Sequence, residues 1–340
     1  MAKPHLAIVI LNWNGRKYLE KFLPHVVKYS CKDGEIIVAD NASTDDSISF
    51  LENNFPKVRI IKMEKNHGYT GGYNIALKQI KADYFVLLNS DILVTEGWIK
   101  PIIELMESDS AIAACQPKIL DYYKKDTFEY AGAAGGFIDY FGYPFCRGRI
   151  MNHLEKDMGQ YDDIAEIFWA TGACMFIRAE SFHDIGGLDN DFFAHMEEID
   201  LCWRLKRKGK KIFYCGKSTV YHVGGGTLPK NNPRKTFYNF RNNLCLLTKN
   251  LSLRKLLFVL LNRALLDGIA SFAFLIKGNF GDCLAVYKAW FSFSGKFLSM
   301  RKNGKQLPKT KVSGIYNGSI IFTGLILRKK TFRKLKFKLS

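Results

Sequence analysis

Short apolar runs that each end in a cluster of polar residues set the pattern of the first hundred positions. Leu6–Leu11 runs into Asn12-Trp13-Asn14-Gly15, and Glu35–Ala39 into Asp40-Asn41-Ala42-Ser43-Thr44-Asp45-Asp46-Ser47. Val58–Ile61 is a third run, and Tyr84–Leu88 ends in Asn89-Ser90-Asp91. Runs of this length, apolar on both alternating faces, predict strands buried on both sides of a parallel sheet. Helical spacing over 16–30, 46–54 and 74–80 separates them, the last helix opening from a glycine-bearing loop, Asn66–Asn74. Strands alternating with helices predict an α/β fold with a doubly wound, mostly parallel sheet. Ligands of such sheets bind beyond the carboxyl ends of the strands. Asp91 is therefore expected at the rim of a cleft, solvated enough to hold Mg²⁺ or Mn²⁺. Taken alone, it would serve equally well as the cap of a following helix.

The middle of the chain is less regular. Trp98–Met106 predicts an amphipathic helix, Ala131–Gly148 a hairpin or a mobile loop over the cleft, and Phe168–Arg178 a strand containing a glycine turn. Glu197, Glu198 and Asp200 then fall in the first turn of a predicted helix, where acids complement the helix dipole. Three acids so close repel one another, which raises at least one pKa toward the range a general base needs. Val220-Tyr221-His222 reads as a strand end, followed by Val223 and the glycines 224–226 with Thr227. The glycines at 68, 71 and 72 do not form Gly-x-Gly-x-x-Gly, and no Gly-x-x-x-x-Gly-Lys-Ser/Thr occurs, which argues against a dinucleotide dehydrogenase and a P-loop ATPase.

Charge divides the 340 residues unevenly. Residues 1–230 hold 28 Lys and Arg against 30 Asp and Glu; residues 231–340 hold 22 against only Asp267 and Asp282. A near-neutral unit, 1–230, is thus expected to precede a basic helical region, 231–340, with helices at 237–249, 253–276 and 281–300. The run Leu256–Ile276 is long enough to span a bilayer, but Asn262, Arg263 and Asp267 interrupt it. An amphipathic helix lying in an anionic membrane surface fits better, assisted by the basic residues Arg328 to Lys338. Nucleic acid is not expected as the partner, since no nucleic-acid motif accompanies the charge. The eight cysteines show no Cys-x-x-Cys pair. With no visible signal peptide, they read as reduced thiols of a cytoplasmic protein, peripheral on the inner face of the cell membrane.

Asn12-Trp13-Asn14-Gly15, Asp40-Asn41-x-Ser43-x-Asp45, the Asn66–Asn74 loop and Asn89-Ser90-Asp91 resemble, in order and spacing, the motifs of family-2 glycosyltransferases of the bacterial rhamnosyltransferase type. The resemblance implies a GT-A fold and an inverting, metal-assisted transfer from a nucleotide-sugar, such as dTDP-rhamnose, to a lipid-linked or cell-surface glycan. It implies that Asp40 meets the pyrimidine base, and that Asn12, Asn14, Asn41, Ser43, Asp45, Gly71, Asn74, Asn89, Ser90 and Asp91 surround the donor. Asn89 stands where the family often has a first Asp, leaving Asp91 as the carboxylate of that motif for the metal, with His222 a further ligand. Glu197-Glu198-Ile199-Asp200-Leu201-Cys202-Trp203-Arg204 matches the family's acidic pair before x-Asp-Leu-x-x-Arg. This makes Glu198 the expected base, with Glu197 the alternative. The stretch containing Trp169 and Gly172 backs the acceptor side, together with Asp200. A sugar-nucleotide nucleotidyltransferase would need a glycine-rich, cationic loop after the first strand, which Asn12-Trp13-Asn14-Gly15 does not supply. A basic nucleic-acid-binding protein is the remaining alternative.

Overall fold

A computed structural model describes residues 4–224, 232–308, 310, 312–335 and 337. Each apolar run of the first half is a strand. Among the described residues a nine-stranded mixed sheet runs β11-β13-β6-β12-β4-β1-β2-β3, with β5 paired to β13. Its members are β1 (Leu6–Asn12), β2 (Glu35–Asp40), β3 (Arg59–Lys62), β4 (Tyr84–Asn89), β5 (Ile92–Val94), β6 (Ile112–Asp121), β11 (Ile164–Glu166), β12 (Cys174–Arg178) and β13 (Lys211–His222). The first four strands are parallel, and β12 joins them antiparallel beside β4. Register places Asn12 opposite Asp40 and Leu11 opposite Asn89, so three polar tips emerge at one edge.

Both faces of this sheet are covered, as the continuous apolar runs require. Ile8, Ile10, Val86 and Leu88 pack on Leu19, Leu23 and Val26 of α1 (Arg16–Ser30). The same cluster holds Leu51 of α2 (Ser47–Asn54), and Ile102 and Met106 of α4 (Lys100–Ser108). The other face, with Ala7, Val9, Phe85 and Leu87, meets Tyr73, Ala76 and Leu77 of α3 (Gly68–Leu77). The expected glycine loop is therefore mostly helix. Glycine disfavours helix intrinsically, but tertiary contacts override it here. A Cβ on Gly72 would stand 2.7 Å from Leu11, and one on Gly68, at φ +70°, 2.6 Å from the Phe193 ring. The helix can lie this close to the sheet only without those side chains. Its free N–H groups are met from outside the turn: Gly68 donates to Asn66 Oδ1, and Tyr69 and Thr70 donate to the Phe193 carbonyl.

The predicted amphipathic helix is α4 (Lys100–Ser108). Residues 131–148 form no loop over the cleft. They are the buried hairpin β7 (Gly136–Asp139) and β8 (Pro144–Cys146), within a second sheet that runs β10-β9-β8-β7-β14. Its other strands are β9 (Arg149–Ile150), β10 (His153–Leu154) and, from far along the chain, β14 (Ile315–Tyr316). The predicted strand 168–178 is shortened to β12 because the second sheet claims the backbone before it: Phe168 and Trp169 both donate to the Gly136 carbonyl.

After β12 come α5 (Ala179–Asp184) and α6 (Glu197–Arg207); the basic region holds α7 (Pro233–Asn250), α8 (Leu253–Ile276), α9 (Phe280–Lys305) and α10 (Ile320–Leu325). This region is helical as expected and is tied firmly to the rest. Arg207 donates to the carbonyls of Lys249, Gly304, Leu307 and Pro308. Phe332 and Phe337 join Phe137 and Phe145 in one aromatic cluster. Phe332 and Phe337 of the basic tail are thus spent on the fold rather than left for a lipid surface. Lys336, Lys338 and the glycine stretch 225–227 lie outside the described residues.

Arg263 and Asp267 do not face outward from α8. Each is 1% exposed, and they pair at 3.1 Å. Asp267 also accepts from Tyr143 and Trp290, and Arg263 from its side donates to Asn243. Breaking a buried pair strands the remaining charge, at a cost of about 3–5 kcal/mol. Asp267→Ala is expected to lose stability on that scale in denaturant unfolding, and Arg263→Met/Asp267→Leu to recover much of it. Equal losses in the single and double variants would show that the charge pairing is not what matters.

Candidate active site

The polar tips of β1, β2 and β4 build one rim, and their side chains are bound to one another. Asn12 Nδ2 donates to Asp40 Oδ1 at 3.0 Å and to Ser43 Oγ at 3.1 Å. Ser43 returns its hydroxyl to Asp40 Oδ1 at 2.6 Å and its N–H to Oδ2 at 2.9 Å. Asn14 Oδ1 accepts from Thr44 N at 2.7 Å, and Asp45 Oδ2 accepts from Arg16 N at 3.1 Å. Asp40 is buried beneath this turn with both oxygens engaged, so it shapes the turn, and Asn14, Asp45 and the exposed ring of Trp13 form its outer lip. Asn41 clips the start of α3, donating to Asn66 Oδ1 and the Gly68 carbonyl while accepting from His67 N. Asn74 is likewise occupied: its amide holds Leu188 by both N–H and C=O and reaches Asn190. Gly71, one turn earlier, lines an open groove with His67, Asn74, His183 and Asn190.

Asn89 and Ser90 are half-buried at the end of β4. Asp91, expected at a solvated rim, is only 5% exposed, because the end of β13 covers it. Val223 N donates to its carbonyl, and His222 Nε2 lies 3.1 Å from its Oδ1. Burial opposes ionisation of Asp91, but the His222 charge and hydrogen bond, with the Gly224 N–H, hold its pKa below the ordinary value. On the opposite ring nitrogen, His222 Nδ1 lies 3.4 Å from buried Glu129, too far for a strong hydrogen bond. Burial alone would lower the pKa of His222; the two carboxylates, Asp91 foremost, lift it to about 10. Among the described residues no group of three or more His, Cys, Asp or Glu is arranged to hold a metal. Asp91 and His222 nevertheless fit a divalent cation that takes its other ligands from a diphosphate. His222 must give up its proton to serve there.

The acid pair opens α6 as expected. Glu197 is buried, Glu198 half-buried, and one oxygen of each has no hydrogen-bond partner in the protein. Burial, and then the Glu198 charge, push Glu197 well above the carboxylate range. Burial likewise lifts Glu198, to about 7, against the N–H groups of Glu198 and Ile199. Repulsion among the acids, the cause expected from the sequence, ranks behind desolvation. Asp200 takes no part in it. It is fully buried and held by Arg204 at 2.6 Å and Lys249 at 2.8 Å, which keep it ionised. Trp169 is also withdrawn from the cleft, buried with its indole N–H on the Phe137 carbonyl at 2.9 Å. Both were expected on the acceptor side; ion pairing and the second sheet claim them instead. Gly172 does connect the two halves of the site. Tyr69 OH donates to its carbonyl at 2.7 Å, while Asn89 N donates to Ala173 O and Ala170 N reaches Cys202 Sγ, one turn beyond Glu198. Burial, Tyr73 and then the charges of Glu197 and Glu198 raise the Tyr69 phenol.

Residues 7–186, more than half of the chain, match the domain described as Glycosyl transferase family 2. The chain belongs to this family. A relative in Mycobacterium tuberculosis, N-acetylglucosaminyl-diphospho-decaprenol L-rhamnosyltransferase, is 24% identical over 235 residues, 64% of this chain and 75% of the relative. The low-salt glycan biosynthesis hexosyltransferase Agl10 of Haloferax volcanii is 23% identical over 221 residues, 64% of this chain and 66% of the relative. A Pyrobaculum calidifontis mannosyltransferase solved with GDP-Man and Mn²⁺ superposes with TM-score 0.51 at 13% identity, covering 89% of this chain and 88% of that one. GalNAc-T7, solved with UDP, GalNAc and Mn²⁺, superposes with TM-score 0.52 at 19% identity, covering 64% of this chain but 43% of the other. The fold of this family-2 member is therefore GT-A, a mixed sheet with the helical C-terminal region added.

Tyr69 and Glu129 were not singled out from the sequence. Tyr69 lay in the glycine stretch without a charge to mark it, and Glu129 sits in a segment with no legible pattern. The elevated Glu198 pKa has a consequence for stability. A group whose folded pKa, about 7, exceeds its ordinary 4.5 favours the folded state fully below 4.5 and loses that contribution as pH rises through 7. Glu198→Gln should melt with the wild type near pH 4.5 and about 2–4 °C above it at pH 8. A melting difference that does not grow with pH, read by scanning fluorimetry, would contradict the burial of the charge.

Proposed function

We propose that this family-2 enzyme is an inverting glycosyltransferase in which Glu198 is the general base and the rim from Asn12 to Asp91 holds the nucleotide-sugar. The observation that carries the assignment is a buried acid pair with unpartnered oxygens at the start of α6, whose charges act on Tyr69, itself hydrogen-bonded to Gly172 just ahead of β12. Of the two acids, Glu198 is raised to about 7 by burial, and Glu197, more deeply buried, is raised well above the ordinary carboxylate value. Glu198 can therefore take a proton at working pH, the property a base requires. It removes the proton of an acceptor hydroxyl, whose oxygen attacks the anomeric carbon from the face opposite the nucleotide. The bond from that carbon to the diphosphate oxygen breaks, and the nucleoside diphosphate leaves with the electron pair. Mg²⁺ or Mn²⁺, when bound by Asp91 and His222, would offset the charge of the diphosphate. Mn²⁺ accompanies the nucleotides in both neighbouring structures, which supports that choice. The mycobacterial relative's name, a rhamnosyltransferase acting on a decaprenol-linked sugar, supports a rhamnose donor and a lipid-linked acceptor.

The outer surface of the helical region supports a membrane-side acceptor. With the Arg263–Asp267 pair turned inward, α8 exposes Leu257, Phe258, Leu261, Leu265, Ile269 and Phe272, and α9 exposes Phe280, Leu284, Tyr287, Phe291 and Leu298. α8 is long and apolar enough to cross a membrane by length and composition. Its inward-facing ion pair and its packing on α9 favour a helix lying in the interface of an anionic leaflet on the cytoplasmic side. An exposed apolar surface of this extent marks an interaction site. The 22 basic residues after position 230 match it to anionic lipid, each one near the surface contributing about 1 kcal/mol.

A panel of UDP-, GDP- and dTDP-sugars with Mn²⁺ or Mg²⁺ identifies the donor. Glu198→Gln should lower turnover by roughly 10²–10⁴ while nucleotide affinity survives. Asp91→Ala should remove the metal-dependent part of nucleoside diphosphate affinity in titration calorimetry. Normal turnover in the first, or unchanged metal dependence in the second, overturns the corresponding role. For the membrane surface, full-length protein is expected to sediment with anionic vesicles and to keep part of that binding at high salt. Leu261→Asp/Phe272→Asp should lose the salt-resistant part. Protein that stays in the supernatant at low salt ends the membrane assignment.

A further inference from the structure

The family match ends at residue 186, so both acids and the elements holding them lie beyond it. The turn before the acids has a costly backbone. Phe193, His195 and Met196 have φ of 63°, 70° and 70°, a left-handed region that disfavours residues other than glycine. The helix they open has no side-chain cap, with Met196 at the capping position. Local sequence therefore does little to keep Glu197 and Glu198 in place. The start of α3 meets one carbonyl of the turn, that of Phe193, through Tyr69 N and Thr70 N; the others are restrained from α7. Asn242, 1% exposed, donates its amide to the carbonyls of Phe192, Ala194 and His195 at 2.9, 2.8 and 2.7 Å. Its own oxygen accepts from Arg241 Nε at 2.8 Å, and Arg241 Nη2 donates to the Asp191 and Phe192 carbonyls at 3.0 and 3.2 Å. From α9, Lys296 pairs with Asp191 at 2.5 Å. Tyr238 stacks on the Phe193 ring with centroids 5.6 Å apart.

Carbonyls in such a turn have no ladder to satisfy them, and burying them unpaired would be costly. One amide meets three of them, and in doing so fixes the turn. We infer that Asn242, supported by Arg241 and Lys296, is a positioning residue: it clamps the strained turn 192–196 and thereby holds the acid pair in its buried placement. The inference rests on the assignment of Glu198 as base. It gives the C-terminal helices a second task, since α7 and α9 fix the geometry of an acid pair they do not carry.

The test compares Asn242→Ala, Lys296→Met, Lys296→Arg and Glu198→Gln in the full chain, with the donor selected by the nucleotide-sugar panel. Asn242→Ala should lower kcat by about 10–100-fold, the scale of a small misplacement, with donor KM within about twofold. A loosened turn hydrates the carboxylates, so the acidic limb of its kcat–pH profile should move to lower pH. Amide exchange over 191–200, measured without any donor, should quicken by about tenfold or more. Lys296→Met, at a half-exposed position, should move each readout in the same direction by less, and Lys296→Arg should restore it. This pair decides the matter if Asn242→Ala does not fold. Turnover that falls only with the folded fraction, with pH limb and exchange unchanged, overturns the clamp. Normal turnover in Glu198→Gln would instead overturn the base while the exchange readout still judges the clamp.

Discussion

Two adjacent carboxylates are buried in this protein with no cationic side chain bound to them among the described residues, and much of the second half of the chain is arranged around that fact. Charge placed in a low-dielectric site is unfavourable unless it is paired. Asp200, on the same helical turn, is paired twice, by Arg204 and Lys249, and stays ionised. Among the described residues, Glu197 and Glu198 receive backbone N–H groups at the start of α6 and no cation, so burial raises both. Three acids within four residues thus divide into one structural anion and a pair whose pKa values burial raises. The division is set by which cations reach which oxygen, and those cations come from residues four and forty-nine positions away.

The rim at the ends of β1, β2 and β4 follows the opposite rule. There the polar side chains satisfy one another: Asn12, Asp40 and Ser43 form a closed set, Asn41 is occupied with the start of α3, and Asn74 with the backbone of Leu188. Residues expected to surround a ligand prove to stiffen the turns that present one. A rim that is rigid before the ligand arrives loses less entropy on binding. Asp91 and His222 combine both rules, since each is buried and each is the other's partner. The charged pair persists in a dry setting because its members neutralise one another, with Glu129 adding a second negative charge behind the imidazole.

The C-terminal region shows the same economy turned inside out. Arg263 and Asp267 look like an interruption of an apolar helix, yet they face inward onto Asn243, Tyr143 and Trp290. What the helix shows to its surroundings is the apolar remainder. Conversely, the aromatic residues of the basic tail, Phe332 and Phe337, close over the second sheet rather than projecting outward.

The sequence by itself determined the front half of the fold. Leu6–Leu11, Glu35–Ala39 and Tyr84–Leu88 could be nothing other than buried strands, because period-two burial of every position leaves no solvent face. Their polar tips followed, as did the start of α6 at its acids and the helices after residue 230. Local pattern stopped where long-range contacts outweigh propensity. Gly68, Gly71 and Gly72 read as a loop and fold as helix, since only a bare backbone fits against Leu11 and Phe193. Trp169 and Asp200 read as site residues and are taken by partners that no spacing in the sequence announces: the Phe137 carbonyl and Lys249. The second sheet, closed by a strand from residues 315–316, and the grip of Asn242 on the turn before Glu197 are likewise contacts across more than forty residues. Apolar periodicity records which face of an element is buried; it carries no record of what that face, or a lone polar side chain, will meet.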